Sequence, residues 1–310
     1  MRHIPVFFSC DDNYVPFLGV TLNSIKKNKN DVDFYDIYVL TNGISPDKQK
    51  ELSAFEDFNL KIEYVDVNDQ IKDHAKELDD VRDYYTQAIF YRLFIAKLFP
   101  RLTKAIYLDC DIVVLSDLAK FYDIDLSDKV LGVIVDDVVN GNAFFQKYCM
   151  EAVGSYKDKY FNSGVLLMNL DAYRKEGILE RFLYLLKTYN FKSVAPDQDY
   201  LNHMCRDLVK YIDKSWDRMP VDDDYDGEIN IIHYNMFMKP WKYDIKYDEY
   251  FWKYAKDTIY YDYLLNFKAN YGDDLKASDY KGVERMEKMC ADIMASDNTF
   301  VKRLDKNGKE

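Results

Sequence analysis

The sequence predicts an α/β protein built on a mostly parallel sheet with helices on both faces, followed by a helical C-terminal appendage. Three observations lead there: short apolar runs alternate with helical patterns, acidic clusters end three of those runs, and the pattern turns helical after residue 245. Ile4-Pro5-Val6-Phe7-Phe8-Ser9 reads as a buried strand, the acidic turn Asp11-Asp12-Asn13 follows, and a helix is expected from about Pro16 to Lys27. Ile37-Tyr38-Val39-Leu40 is the second strand, and beyond Asn42-Gly43 a helix opens with Ser45 as N-cap and Pro46 in the first position. Leu60 to Val65 is the third strand. Strands separated by helices pair in parallel, because the helix carries the chain back across the sheet.

Residues 68 to 82 are highly charged and read as loop or short helix, and Tyr85 to Phe99 reads as an apolar helix stopped by Pro100. Ile106-Tyr107-Leu108 is a strand that runs straight into Asp109-Cys110-Asp111, while Val130 to Val135 ends at Asp136-Asp137. Gly164 to Asn169 is one more strand, Asp171 caps a helix to about Thr188, and Pro196 opens a helix carrying Asp197, Gln198 and Asp199. Ile231 to Tyr234 is a short late strand, and from Lys246 onward the chain is helical and rich in Tyr and Trp. Ligands of open α/β sheets collect beyond the carboxyl ends of strands, so the acids at 11 to 12, 109 to 111 and 136 to 137 mark one expected site.

Of the 310 residues, 42 are Lys or Arg and 54 are Asp or Glu, a net charge of −12 that rules against an electrostatic nucleic-acid binder. An anionic substrate must then be held locally, by a metal or a few cations. The 28 Tyr offer ring faces and hydroxyls suited to stacking on sugars or bases, although most are expected to serve packing. The five cysteines are scattered without a Cys-x-x-Cys and read as reduced thiols. Ile4 to Phe8 is too short for a signal peptide and no run is long enough to span a membrane, so a cytoplasmic protein is expected. A weak peripheral membrane contact through the C-terminal helices is the alternative, against which residues 276 to 310 mix acids and bases evenly and lack a basic face.

Residues i and i+2 of an extended segment point to one side, so Asp109 and Asp111 present two carboxylates to one point. Oxygen ligands of this kind suit Mg²⁺ or Mn²⁺, and an ion so held can hold a diphosphate. His233 also ends a strand and precedes Lys239-Pro240-Trp241, which offers an imidazole for the metal shell and an ammonium for phosphate oxygens. Asn13 and Tyr14 offer an amide edge and a ring to a base. Each feature has a plain structural alternative: acids as helix caps, a core His, a packed Tyr.

Taken together, the set resembles family 8 of the retaining glycosyltransferases, the group that contains bacterial lipopolysaccharide galactosyl- and glucosyltransferases and, more distantly, glycogenin. The resemblance covers roughly residues 3 to 245. It rests on Phe8-Ser9-Cys10-Asp11-Asp12-Asn13-Tyr14, Tyr91-Arg92-Leu93, Ile106-Tyr107-Leu108-Asp109-Cys110-Asp111, Tyr160-Phe161-Asn162-Ser163-Gly164-Val165, Pro196-Asp197-Gln198-Asp199 and His233-Tyr234 ahead of Lys239-Pro240-Trp241. The resemblance implies an A-type glycosyltransferase fold, with a Rossmann-like nucleotide-sugar half over about residues 1–140, an acceptor half over about 141–245, and the helical appendage over 246–310. It implies a UDP-sugar donor, a saccharide or glycoconjugate acceptor and Mn²⁺, with Mg²⁺ as the alternative. By resemblance, Ser9, Asp11, Asn13 and Tyr14 lie on the nucleotide side, and Asp109, Asp111 and His233 hold the metal. Lys239 contacts the diphosphate, and Arg92, Asp136, Asn162, Asp197 and Gln198 surround the donor sugar, with Gln198 on the face where a nucleophile would stand. Gln198 is a poor nucleophile, so same-face attack is expected, with Gln198, Asp197 and Asp136 as the catalytic group.

One position departs from the family, which commonly has Gly three residues after the metal His where this chain has Met236. A Cβ there is expected to displace the loop that approaches the diphosphate. Two other readings compete. Asp109-Cys110-Asp111-Ile112-Val113 also fits the nucleophile motif of haloacid-dehalogenase-like phosphatases, with Asp109 attacking phosphorus and Asp136-Asp137 holding Mg²⁺. An inactive sugar-nucleotide-binding relative would keep the same residues without turnover.

Overall fold

The computed structural model describes residues 1–72 and 87–305. Seven strands form one sheet: β1 Arg2–Ser9, β2 Asp33–Thr41, β3 Leu60–Asp66, β4 Lys104–Leu108, β6 Leu131–Val133, β7 Val165–Asn169 and β8 Val209–Tyr211, in the order β3-β2-β1-β4-β7-β6-β8. Pairing is parallel throughout except at β7, which runs antiparallel to both β4 and β6. A separate antiparallel pair joins β5, Ile112–Val114, to β9, Ile231–His233.

The sheet follows from where its apolar residues can go. β1 is central and buried on both faces: Ile4, Val6 and Phe8 join one core and Phe7 the other. β3 is an edge strand and alternates buried and open positions accordingly. On the first face the Val15–Asn28 helix packs together with the C-terminal residues Trp241, Phe251, Tyr254 and Leu264. The Tyr91–Leu98 and Ile178–Tyr189 helices cover the second. The appendage after residue 245 is helical as expected, over Asp248–Ala255, Tyr261–Ala269, Asp273–Ala295 and Phe300–Arg303.

Local structure differs from expectation at three places. Ser45 precedes the Pro46–Leu52 helix, but its hydroxyl goes to Asp12 Oδ1 at 3.2 Å instead of capping. Asp171 is not a cap: Asn169 accepts from the Ala172 amide at 3.1 Å, and the helix that begins at Leu170 breaks at Glu176-Gly177 before resuming at Ile178. The helix expected over 85–99 is a 3₁₀ turn, Gln87–Phe90, followed by Tyr91–Leu98. Tyr85, Thr86 and the part of the charged segment at 73–82 lie outside the described residues. All five cysteines are buried and free, and among the described residues no helix is long and apolar enough to cross a membrane.

Candidate active site

The chain runs from β1 outward to β2 and β3, then returns to β4 on the other side of β1. That reversal makes a topological switch point past the carboxyl ends of β1 and β4, the place where open α/β sheets bind ligands, and Ser9 to Asp11 and Asp109 to Asp111 lie there. β5 starts immediately after Asp111 and pairs with β9 in a register that sets Ile112 opposite His233, with the Tyr234 amide donating to the Asp111 carbonyl at 2.9 Å. Two distant segments therefore deliver three side chains capable of ligating a metal to one point.

Ligand atoms of Asp109, Asp111 and His233 lie within 4.8 Å of one another. Each carboxylate commits one oxygen to a cation and turns the other toward the centre. Asp109 Oδ1 is held by Arg92 Nη2 and the Tyr107 hydroxyl, both at 2.9 Å, leaving Oδ2 3.9 Å from His233 Nε2. Asp111 Oδ2 accepts from Lys239, while its buried Oδ1 has no hydrogen-bond partner and sits 3.3 Å from His233 Nε2. Gly164 borders the same point: a Cβ there would come 2.4 Å from His233 Cε1 and 2.5 Å from Asp109 Oδ2. An orphaned buried oxygen, a mixed oxygen and nitrogen donor set and a space kept clear by glycine fit a divalent cation.

His233 is 2 % exposed, and its Nδ1 lies 2.9 Å from Oδ1 of Asp217, which is also buried. Burial alone would lower the imidazole, but Asp217 and Asp111 outweigh it and push His233 up to about 10. Burial pushes the Asp217 carboxyl up to about 6 against the pull of His233. Asp111 is also raised by burial, yet Lys239 and His233 hold it well below the usual carboxylate range. Metal-free, the cluster thus carries its own cations.

Beyond Asp109 a continuous polar network crosses to the Pro196–Cys205 helix. Arg92, over the Tyr107 ring at 4.3 Å, joins Asp109 to Asp197 Oδ2 at 3.3 Å and donates to the Ser163 carbonyl at 2.6 Å. Ser163 is the hub, its hydroxyl donating to Asp197 at 2.8 Å and its amide to Gln198 Oε1 at 2.9 Å. Gln198 Nε2 and Asn162 Nδ2 both donate to Asp136 Oδ2, at 3.1 and 3.2 Å, and the other Asp136 oxygen caps the Asp137–Asn140 turn through the Val139 amide at 2.9 Å. Burial raises Asp197, with Arg92 and the Ser163 hydroxyl opposing.

Among the residues expected on the nucleotide side, Asp11 Oδ1 accepts from the Asn13 and Tyr14 amides at 2.9 and 3.1 Å, which shapes the turn into the first helix. Asn13 is exposed, Tyr14 is half-open with its ring edge on Phe17 at 5.2 Å, and the Ser9 carbonyl accepts the Cys110 thiol at 3.2 Å. Met236 has φ +49, so the backbone keeps the left-handed turn that Gly would favour and the exposed Met side chain carries the strain. Met236→Gly relieves about 1–2 kcal/mol of strain against about 0.5–1 kcal/mol of added unfolded-chain entropy, so a small rise in Tm is expected. Met236→Val should lower Tm, since a β-branched residue tolerates this conformation least.

Several site contacts carry no sequence signal. Asp217 and Ser163 are absent from the expected set, and Asp199, read as a charged helix start, is fully buried and accepts from the Tyr148 and Tyr160 hydroxyls, both at 2.6 Å, and from Ser193. Lys239, expected on a diphosphate, here salt-bridges Asp111. The phosphatase reading fails on Asp136-Asp137: Asp136 is engaged by Gln198 and Asn162, Asp137 is ion-paired with buried Arg218 at 2.7 Å, and neither belongs to the one ligand cluster among the described residues.

Residues 5–245 match the family model for glycosyl transferase family 8. General stress protein A of Bacillus subtilis is 32% identical over 197 residues, 62% of this chain and 63% of that protein, so the chain spans under two thirds of that relative. A putative glycosyltransferase of Haemophilus influenzae is 28% identical over 73% of this chain and 67% of its own length. The lipopolysaccharide 1,2-glucosyltransferase of Escherichia coli K12 is 24% identical over 76% and 72%. The fold is similar to the WbbM bifunctional glycosyltransferase, with TM-score 0.76 and 23% identity over 87% of this chain and 52% of that one. It is also similar to the galactosyltransferase LgtC in complex with donor and acceptor sugar analogues, with TM-score 0.69 and 24% identity over 83% and 96%. With more than half its length matched by the family model and its sheet and acidic cluster in place, the chain belongs to glycosyl transferase family 8.

Proposed function

We propose that the protein is a retaining hexosyltransferase that moves glucose or galactose from a UDP-sugar to a saccharide or glycoconjugate acceptor, with Mn²⁺ or Mg²⁺ held by Asp109, Asp111 and His233. The observation that carries the reading is the sharing of oxygens at the cluster: one from each carboxylate is turned to a common centre. A divalent ion bound there would stabilise the negative charge that develops on the departing diphosphate. Lys239, 6 % exposed, is the adjoining cation, and neutralisation of Asp111 would free its ammonium for the phosphate oxygens.

On the sugar side, Asp197 is bound to Arg92 and Ser163, and the Gln198 amide is fixed at both ends by Ser163 and Asp136. A carboxylate committed to a guanidinium and an amide both disfavour a covalent sugar intermediate, which supports same-face attack through an oxocarbenium-like ion pair. In that reading Gln198 and Asp197 support the cationic ring and Asp136 and Asn162 receive sugar hydroxyls. Sequence kinship with a lipopolysaccharide glucosyltransferase supports a cell-surface glycan precursor as acceptor.

The test is UDP release from a panel of UDP-sugars with and without Mn²⁺, with phosphate release from phosphomonoesters followed in parallel. Metal-dependent UDP release from one sugar is expected; phosphate release alone would overturn the reading, and a sugar trapped covalently on a side chain would overturn same-face attack. Metal binding should also release a proton. His233 is raised to about 10, so it is protonated at neutral pH and must be neutral to ligate. Mn²⁺ affinity is therefore expected to strengthen with rising pH, approaching tenfold per unit between pH 6 and 8. Calorimetry in buffers of different ionisation enthalpy reads the proton directly, and a pH-independent affinity would overturn the protonated state of His233 in the metal-free protein.

A further inference from the structure

The helix Asp273–Ala295 lies outside the matched residues 5–245, yet it grips the chain on both sides of Lys239. Before Lys239, the Phe237 ring packs on Gly282, where an added Cβ would meet Phe237 Cζ at 3.0 Å and Cε1 at 3.2 Å. After it, Asp279 Oδ2 accepts from Lys242 Nζ at 3.2 Å, the Tyr243 hydroxyl at 2.9 Å and the Tyr271 hydroxyl at 2.7 Å. The amides of Lys242 and Tyr243 in turn donate to the Lys239 carbonyl at 2.9 and 3.0 Å. The loop thus has two attachments to one rigid element, and the left-handed Met236 lies next to the first.

The far half of the same helix packs on residues that support the Pro196–Cys205 helix. Cys290 and Ile293 pack with Tyr148, Cys149 and Tyr160, and the hydroxyls of Tyr148 and Tyr160 hold Asp199 in the helix that presents Asp197 and Gln198. The helix therefore fixes the loop against the catalytic helix, not merely against solvent. We propose that Asp279 and Gly282 are positioning residues for donor binding: through Phe237, Lys242 and Tyr243 they hold Lys239 where a nucleoside diphosphate is received. This rests on the transferase reading for what Lys239 contacts, while the brace itself is a property of the chain.

Gly282→Ala separates positioning from stability. Alanine gains about 1 kcal/mol as the better helix former, which offsets the cost of moving the Phe237 ring by a few tenths of an ångström, so Tm should change little. The expected result is a three- to tenfold increase in donor KM and in the Kd for UDP with Mn²⁺, with kcat changed less than twofold. Asp279→Ala should show the same KM effect, and in both variants amide hydrogen exchange over residues 235–243 should accelerate in the absence of any ligand. Unchanged exchange and unchanged donor KM in Gly282→Ala would overturn the proposal. If the unaltered protein binds no UDP, the transferase reading falls, and the exchange comparison still decides whether the helix braces the loop.

Discussion

Asp111→Asn is expected to abolish metal-dependent turnover and weaken Mn²⁺ binding by roughly a hundredfold or more, since it removes an inner ligand where loss of an outer one alone costs about 10–100-fold. A second effect follows from the salt bridges. Asp111 neutralises both Lys239, 6 % exposed, and His233, 2 % exposed, so the variant leaves two buried cations short of a partner. Removing one member of a buried pair costs about 3–5 kcal/mol, so the metal-free variant should also unfold at markedly lower denaturant. Asp109→Asn should lose metal with less damage to the fold, because Asp109 is more exposed than Asp111. Calorimetric Mn²⁺ titration and urea unfolding of both variants separate the effects. Full activity in both would remove the carboxylates from the mechanism.

Gly164→Ala should be nearly as damaging to metal binding while leaving every ligand in place. The new methyl would lie within 2.5 Å of both His233 Cε1 and Asp109 Oδ2, closer than nonbonded atoms approach. Neither neighbour can yield freely. His233 is held by Asp217, and Asp109 by Arg92 and Tyr107, so the cluster must spread. A loss of roughly a hundredfold in Mn²⁺ affinity is expected, with an overpacking cost of about 1–3 kcal/mol. Gly272→Ala is the control, since nothing lies within 4 Å of its added Cβ. Equal Mn²⁺ affinity in the Gly164 and Gly272 variants would place the ion elsewhere.

The first three strands were readable because β1 is buried on both faces and the intervening helices carry start signals, so composition alone distinguishes core from connection. β5 and β8 were not: β5 begins directly after Asp111, so its apolar residues read as a continuation of the acidic turn, and β8 buries only Val209 of its three residues. The acidic pair and His233 were legible as residue types at strand ends, and the order of the motifs placed them in one family. Their partners were not legible. Asp217 reaches His233 because the Arg218 amide bonds the Ile231 carbonyl and the His233 amide bonds the Arg218 carbonyl, both at 2.9 Å, a pairing no local pattern announces. Ser163 becomes a hub only when its strand end meets the Pro196–Cys205 helix. The charge on Asp199 suggests a charged helix start, yet the Tyr148 and Tyr160 hydroxyls from distant segments and that of nearby Ser193 make its burial tolerable.

The antiparallel placement of β7 also bears on folding. The Leu108↔Val165 pairing and the Asp109 amide bonded to the Gly164 carbonyl at 2.8 Å put the residue without a side chain beside the ligands. A slip of one residue would put Ser163 or Val165 there instead and turn every β7 side chain to the opposite face. With the metal site proposed above, only a chain with β4 and β7 correctly aligned would take up the ion. During refolding, Mn²⁺ uptake should therefore lag behind sheet formation, and the ion would act as a proofreader of strand alignment as well as a participant in the reaction.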